Sequence, residues 1–86
     1  MRYWTKCHTP LQKQSRRALR IFIRTARRWR AIDPAELSPE GQQQRVDCIC
    51  ICERIERAFL GARTDAELLA ANKLAADLGQ LYEFKP

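Results

Sequence analysis

The polar and apolar positions between Pro10 and Ile32 separate into two faces when placed on a helix at about 100° per residue. One side carries seven basic residues, called here the basic face: Lys13, Arg16, Arg17, Arg20, Arg24, Arg27 and Arg28. The opposite side is apolar, with three isoleucines on its flanks: Leu11, Ala18, Leu19, Phe22, Ala26 and Trp29, then Ile21, Ile23 and Ile32. Thr9 and Gln12 form a capping-box pattern, and the Asp33-Pro34 pair ends the segment. The pattern therefore predicts a helix over residues 10–32.

A second helix is predicted over residues 39–60, with Ser38 as its N-cap. Its apolar positions recur at helical spacing: Cys48, Ile51, Cys52, Ile55 and Phe59. Residues 46–52 also alternate and include β-branched side chains, so a strand is a competing prediction. The helical charge pattern of residues 53–57, without a turn residue to close a strand, favours the helix. Gly61 is the predicted C-cap.

A third helix is predicted over residues 65–83, after a capping box formed by Thr64 and Glu67. Its apolar face is rich in alanine and leucine: Leu68, Ala71, Leu74, Ala75, Leu78, Leu81 and Tyr82. A short helical turn is expected between the first two helices, where Asp33 to Glu36 repeats the capping pattern. Three capped helices with short connections predict an all-α fold, a small three-helix bundle of long antiparallel helices in one domain of 86 residues.

Residues 1–9 precede the first helix and show no clear period, so we predict an extended N-terminal arm. Tyr3 and Trp4 are expected to fold back over one end of the core, because large aromatic residues beside a small core usually fill it. The alternative is an arm whose aromatic rings stack on nucleic-acid bases, assisted by Arg2 and Lys6.

Charge is distributed unevenly along the chain. Residues 1–32 contain ten Lys or Arg and no acidic residue, whereas residues 33–86 contain six basic and ten acidic residues, which gives the net charge of +6. Most of the basic residues are arginine, which forms bidentate contacts with phosphate. A GC-rich coding sequence would also favour arginine together with the frequent alanine. Such asymmetry indicates a nucleic acid, an anionic membrane or an acidic protein surface as partner.

The residue types give little basis for catalysis. His8 is the only histidine, so no Ser-His-Asp set is possible, and its neighbour Cys7 is expected to point elsewhere. We therefore predict that the protein is not an enzyme and needs no cofactor.

A zinc site is an alternative, in which Cys48 and Cys52, four residues apart, bind the metal together with Cys7 and His8. The usual ligand spacing of structural zinc sites, two CxxC-like pairs, is absent. We favour buried, free cysteines and no metal. Cys50, if exposed, is the better candidate for oxidation or an intermolecular disulfide.

The cysteines of the CICIC run do not resemble a disulfide framework, and no secretory signal is recognisable, so we expect a cytoplasmic protein with reduced thiols. No apolar run approaches the ~18 residues that span a bilayer. The N-terminal part of the chain could alternatively be a mitochondrial transit peptide, because such peptides are also arginine-rich, free of acidic residues and amphipathic. An interfacial membrane helix is a further alternative, because Trp29, Phe22, Ile21 and Ile23 lie opposite the arginines.

The leading functional hypothesis is that the basic face binds the phosphates of DNA or RNA. The polar neighbours of the basic face are Gln12, Gln14 and Ser15, with no asparagine, so backbone contacts should dominate over base readout. The alternative is a small regulator or inhibitor, of bacterial or phage type, whose basic face binds an acidic partner protein. A solvated basic face without a partner is the simplest alternative. A homodimer is also expected, through the third helix or through Val46, Ile49 and Leu60.

Overall fold

The computed structural model describes residues 9–82, with side chains described for residues 9–79, so the predicted arm lies outside the described residues except for Thr9. The placement expected for Tyr3 and Trp4 falls in that part. The described chain is all-α, as predicted, and forms three long helices joined by short connections. Their bounds are α1 (Pro10–Ala31), α2 (Pro39–Gly61) and α3 (Asp65–Tyr82), with a 3-10 helix, η1 (Pro34–Glu36), between α1 and α2.

The start of each helix is fixed by the local sequence, as predicted. The Thr9 hydroxyl accepts a hydrogen bond from Gln12 N at 3.1 Å, and Thr9 N donates to Gln12 Oε1 at 3.3 Å, which completes a capping box. Ser38 Oγ accepts from Gly41 N at 3.1 Å at the start of α2. Thr64 Oγ1 accepts from Glu67 N at 3.2 Å before α3. These bonds satisfy amides that a helix leaves without a partner in its first turn.

The end of α2 differs from the sequence prediction. Gly61 is the last helical residue, and the C-cap is Ala62, which leaves the helix in an extended conformation and donates its N–H to Phe59 O at 3.1 Å. Ala62 is buried, so the chain turns in the direction that places its methyl group in the core. No left-handed glycine is required for that turn.

Residues 46–52 lie within the continuous helix α2, so the alternative prediction of a strand is wrong. A strand would place Cys48, Cys50 and Cys52 on one face. In the structure Cys48 and Cys52 are buried and Cys50 is exposed, because burial follows the helical period through Ile55 and Phe59.

The core is formed by one apolar stripe from each helix. It contains Leu19, Phe22 and Ala26 of α1, Cys52, Ile55 and Phe59 of α2, Ala62, and Leu68, Ala71 and Ala75 of α3. Ile51, Leu74 and Leu78 pack against its edge, as their predicted faces require. The side chains of Leu81 and Tyr82, predicted for the same face, lie outside the described set. Thus the small core of three stripes holds α1 with its basic face directed outward.

The helix directions follow from contacts between their ends. Arg45, near the start of α2, bonds to the carbonyl of Trp29 at the end of α1, so these two helices are antiparallel. Asn72 of α3 bonds to Ser15 of α1, and Ala76 lies beside Ala18 and Phe22, so α3 runs parallel to α1. The up-down-up order of a three-helix bundle results.

Arg45 provides a cap for α1 from a different helix. Its Nε donates to Trp29 O at 2.9 Å and its Nη2 to Arg30 O at 3.4 Å. Both carbonyls lie in the last turn of α1, where the regular partners four residues later run out, and a cation there is favoured by the helix dipole. Trp29 O also accepts a hydrogen bond from the C-cap amide, Ile32 N, at 3.2 Å. The guanidinium therefore connects the end of α1 to the start of α2.

Replacing Arg45 with alanine is expected to lower the free energy of unfolding by about 1–2 kcal/mol, because both carbonyls lose a charged donor. Urea unfolding followed by circular dichroism measures the change. Arg54→Ala is the matched control, since Arg54 is an exposed arginine of the same helix. An effect of Arg45→Ala no larger than that of the control would contradict the capping role.

Candidate nucleic-acid interface

The seven residues of the basic face all have exposed side chains on α1. From Lys13 to Arg28 they extend along the helix for about 22 Å, at 1.5 Å per residue. The apolar positions between them point inward, where Leu19, Phe22 and Ala26 are held by α2 and α3. The packing of the bundle therefore fixes which way the basic face points.

Six of these residues have no ion pair with any acidic side chain that the structure describes. Among the described side chains, no carboxylate forms an ion pair with Lys13, Arg17, Arg20, Arg24, Arg27 or Arg28. Arg30, which lies outside the basic face, does have such a partner, since its Nη2 is 2.7 Å from Glu53 Oε1. The contrast shows that α2 carries a carboxylate within reach of α1, but away from the basic face.

The N-terminal half of the basic face surrounds a shallow depression of about 250 Å³ that is open to solvent. It is lined by Lys13, Arg16, Arg17 and Arg20. Four cations around one depression produce a positive potential that attracts anions. A phosphate group placed there could accept hydrogen bonds from more than one arginine.

Two of the predicted polar neighbours do not belong to this surface. Gln12 and Ser15 are buried, with 7% and 0% of their surface exposed. Ser15 Oγ donates to Leu11 O at 2.8 Å and accepts from Asn72 Nδ2 at 2.8 Å, so Ser15 connects α1 to α3. The sequence prediction placed both residues beside the arginines because they are polar, and it was wrong about their direction.

Gln14 is the polar neighbour that remains at the surface, where it lines a groove between α1 and α3, called here the α1–α3 groove. The groove has a volume of about 250 Å³. Its other α1 residues are Ala18, Ile21 and Phe22, and α3 contributes Asn72, Ala75 and Ala76. Sequence reasoning missed this groove because it depends on how two helices pack.

The thiols of α2 differ in exposure. Burial raises the pKa of Cys52 to about 11, and neighbouring Cys48 adds to the shift. Burial, followed by the charge of Asp47, also raises the pKa of Cys48. Both thiols are therefore less readily ionised, and so less reactive, than an exposed cysteine thiol. Cys50 is exposed, as its predicted reactivity requires.

A metal centre is not seen in the part of the chain that the structure describes, since no three His, Cys, Asp or Glu side chains there are placed to hold an ion. The zinc alternative also needs Cys7 and His8, which fall outside that part.

No helix among the described residues is long and apolar enough to cross a bilayer. The interfacial alternative needs a free apolar face on α1, yet Phe22 is buried there and Ile23 packs against the core.

The residues expected at a dimer interface do not share one environment. Val46 is 50% exposed, whereas Ile49 is half-buried and Leu60 packs against the core of its own chain. Leu69 of α3 is 59% exposed, although the sequence did not single it out. Dimerisation stays a prediction.

Comparison with known proteins gives no relative from which a function could be transferred. No family model, no curated protein and no solved structure matches this chain.

Proposed function

We propose that this protein binds the phosphates of nucleic acids through the basic face of α1. The observation that supports the proposal most strongly is a line of seven exposed cations, six of them without a carboxylate partner among the described side chains. The protein acts by binding, and we propose no reaction.

The energetics of the isolated helix favour an anionic partner. Like charges four residues apart repel one another, and the basic face contains four such pairs: Lys13/Arg17, Arg16/Arg20, Arg20/Arg24 and Arg24/Arg28. Each pair destabilises the helix by roughly 0.2–0.5 kcal/mol. A bound anion would relieve this repulsion, whereas a face exposed only to water would gain from alternating glutamate and lysine.

Phosphate fits this surface because of its spacing and chemistry. One strand of duplex DNA carries a phosphate about every 3.4 Å along the axis, so ~22 Å of helix covers about six of them. Arginine binds a phosphate with two parallel hydrogen bonds, and six of the seven residues are arginine. The basic face carries no amide side chain, so it would contact the backbone and read little sequence.

The competing hypothesis is a regulator or inhibitor whose basic face binds an acidic protein surface. Carboxylates also form bidentate pairs with arginine, so the same residues would serve. That hypothesis expects weak and nonspecific affinity for DNA and RNA, together with a protein partner that copurifies from cells. The measured affinity for nucleic acid therefore distinguishes the two hypotheses.

We expect log K for a generic duplex to fall with log salt at a slope of about −4 to −5, if five of the seven charges engage phosphates. Fluorescence anisotropy with a labelled duplex at increasing salt measures the slope. A random-sequence duplex of the same length should give the same value. Absence of binding at low salt, both to the duplex and to a generic single strand, would contradict the proposal and favour a protein partner.

A further inference from the structure

The α1–α3 groove directly adjoins the basic face. Its α1 wall is formed by Gln14 and Ile21. On a helix, Arg28, Arg17 and Arg24 follow at about 20°, 40° and 60° around the axis from Ile21. A ligand bound in the groove would therefore lie within reach of three cations of the basic face.

We propose that the α1–α3 groove accepts one unstacked base of a single-stranded nucleic acid whose phosphates lie along the basic face. This inference rests on the proposed function, and it names the form of nucleic acid that the protein prefers. A duplex keeps its bases paired and stacked, so it would engage the basic face alone. A single strand would engage both surfaces.

The size and lining of the groove fit a nucleobase. Its volume of about 250 Å³ falls below the roughly 300–1,000 Å³ of pockets for larger ligands. Ala18 and Ala75 contribute small side chains to its lining, and Ile21 contributes an aliphatic one. Extruded bases are commonly held between apolar side chains in this way. A single planar ring system could enter such a space.

Two carboxamides border the groove, Gln14 from α1 and Asn72 from α3. Asn72 Nδ2 donates to Ser15 Oγ and to Leu68 O, both at 2.8 Å. Because a carbonyl only accepts, these bonds fix the orientation of the amide and leave Asn72 Oδ1 as its acceptor. Gln14 is exposed and retains both a donor and an acceptor. Base edges combine donors and acceptors, which carboxamides match.

The test compares two labelled single strands of equal length, one of mixed sequence and one with the same sugar-phosphate backbone but abasic. The 86-residue protein should bind the natural strand about tenfold more tightly than the abasic one, the lower half of the range measured for one stacked base. Because the phosphates are identical, the ratio of the two affinities isolates the contribution of the bases.

Ala76→Leu fills the groove from its α3 wall and should bring the ratio close to one. Ala76 is exposed, so the variant should fold, which circular dichroism verifies. Ala70→Leu is the matched control, because Ala70 is an exposed alanine of the same helix and lies outside the groove. Gln14→Ala removes one carboxamide without adding bulk, and it should lower the ratio about threefold.

Equal affinity of the wild-type protein for both strands would overturn the inference and leave phosphate binding intact. A ratio unchanged by both Ala76→Leu and Gln14→Ala would also overturn it, since the base contacts would then lie elsewhere. If sedimentation showed a dimer that Ala76→Leu dissociates, the groove would belong to a second copy of the chain. Failure to bind either strand at low salt would instead refute the proposed function itself.

Discussion

Replacing Arg20 and Arg24 together with glutamate is expected to weaken binding to a generic duplex by at least about 100-fold. Hydrogen bonds to a charged group contribute roughly 1.5–3 kcal/mol each, so the loss of two phosphate contacts predicts this magnitude. Both residues lie in the middle of the basic face and are exposed. The two carboxylates would in addition repel the phosphates. Anisotropy titrations at one fixed salt concentration measure the change.

The fold should survive this double substitution. Neither side chain contributes to the core, and each new carboxylate would stand four residues from an arginine, Arg16 or Arg28. Opposite charges at that spacing stabilise a helix, so the melting temperature should not fall. Circular dichroism checks that the helical signal and the melting curve are retained.

The matched control is Arg54→Glu with Arg57→Glu on α2, where both arginines are exposed. This pair changes the net charge by the same amount, so any general effect of charge on association is equal in the two variants. We expect only a few-fold loss of affinity. Equal losses in the two double variants would show that net charge, not the basic face, determines binding.

Replacing Phe59 with alanine is expected to have the largest effect on stability. Its side chain is 0% exposed at the centre of the core, and deletions of this kind cost about 3–5 kcal/mol. Small domains are stable by only about 5–15 kcal/mol in total, so the variant should be partly unfolded at 37 °C. Urea unfolding monitored by circular dichroism at low temperature measures the difference.

Val46→Ala is the control for Phe59→Ala, because Val46 is an apolar residue of the same helix that is half exposed. Its effect should stay within about 0.5 kcal/mol, as for other surface substitutions. A loss as large as that of Phe59→Ala would contradict the described packing. It would indicate that Val46 is covered, as in the predicted homodimer.

The helices and their starts could be predicted from sequence because the signals are local. Thr9, Ser38 and Thr64 each bond to an amide three residues later, and Pro34 forces Asp33 out of the helical conformation. The apolar face of each helix could also be predicted from sequence, since helical spacing determines which residues share a side. The wrong prediction for Gly61 has a tertiary cause, the burial of Ala62 in the core.

The directions of Gln12 and Ser15 were predictable, although residue type obscured them. Both continue the alternating spacing of three and four residues that runs through Leu19, Phe22 and Ala26. Position therefore outweighs polarity here, and Ser15 is satisfied by a hydrogen bond from Asn72. That partner is 57 residues away in the chain, so the bond itself has no local signal.

The basic face could be located from sequence, whereas its surroundings could not. Seven residues at helical spacing define it without knowledge of the other helices. The α1–α3 groove and the cap that Arg45 places on α1 depend on the register between helices. Helical periodicity shows which side of a helix is apolar, but not which neighbour it meets or at what height.

The central claim is tested most directly by the salt dependence of binding to one generic duplex, measured for the wild type beside Arg20→Glu/Arg24→Glu. We predict a wild-type slope of about −4 to −5, and a slope shallower by about two in the variant, because two phosphate contacts are lost. Equal slopes would place the contacts elsewhere on the protein. No binding by the wild type at low salt, either to this duplex or to a generic single strand, would contradict phosphate recognition altogether.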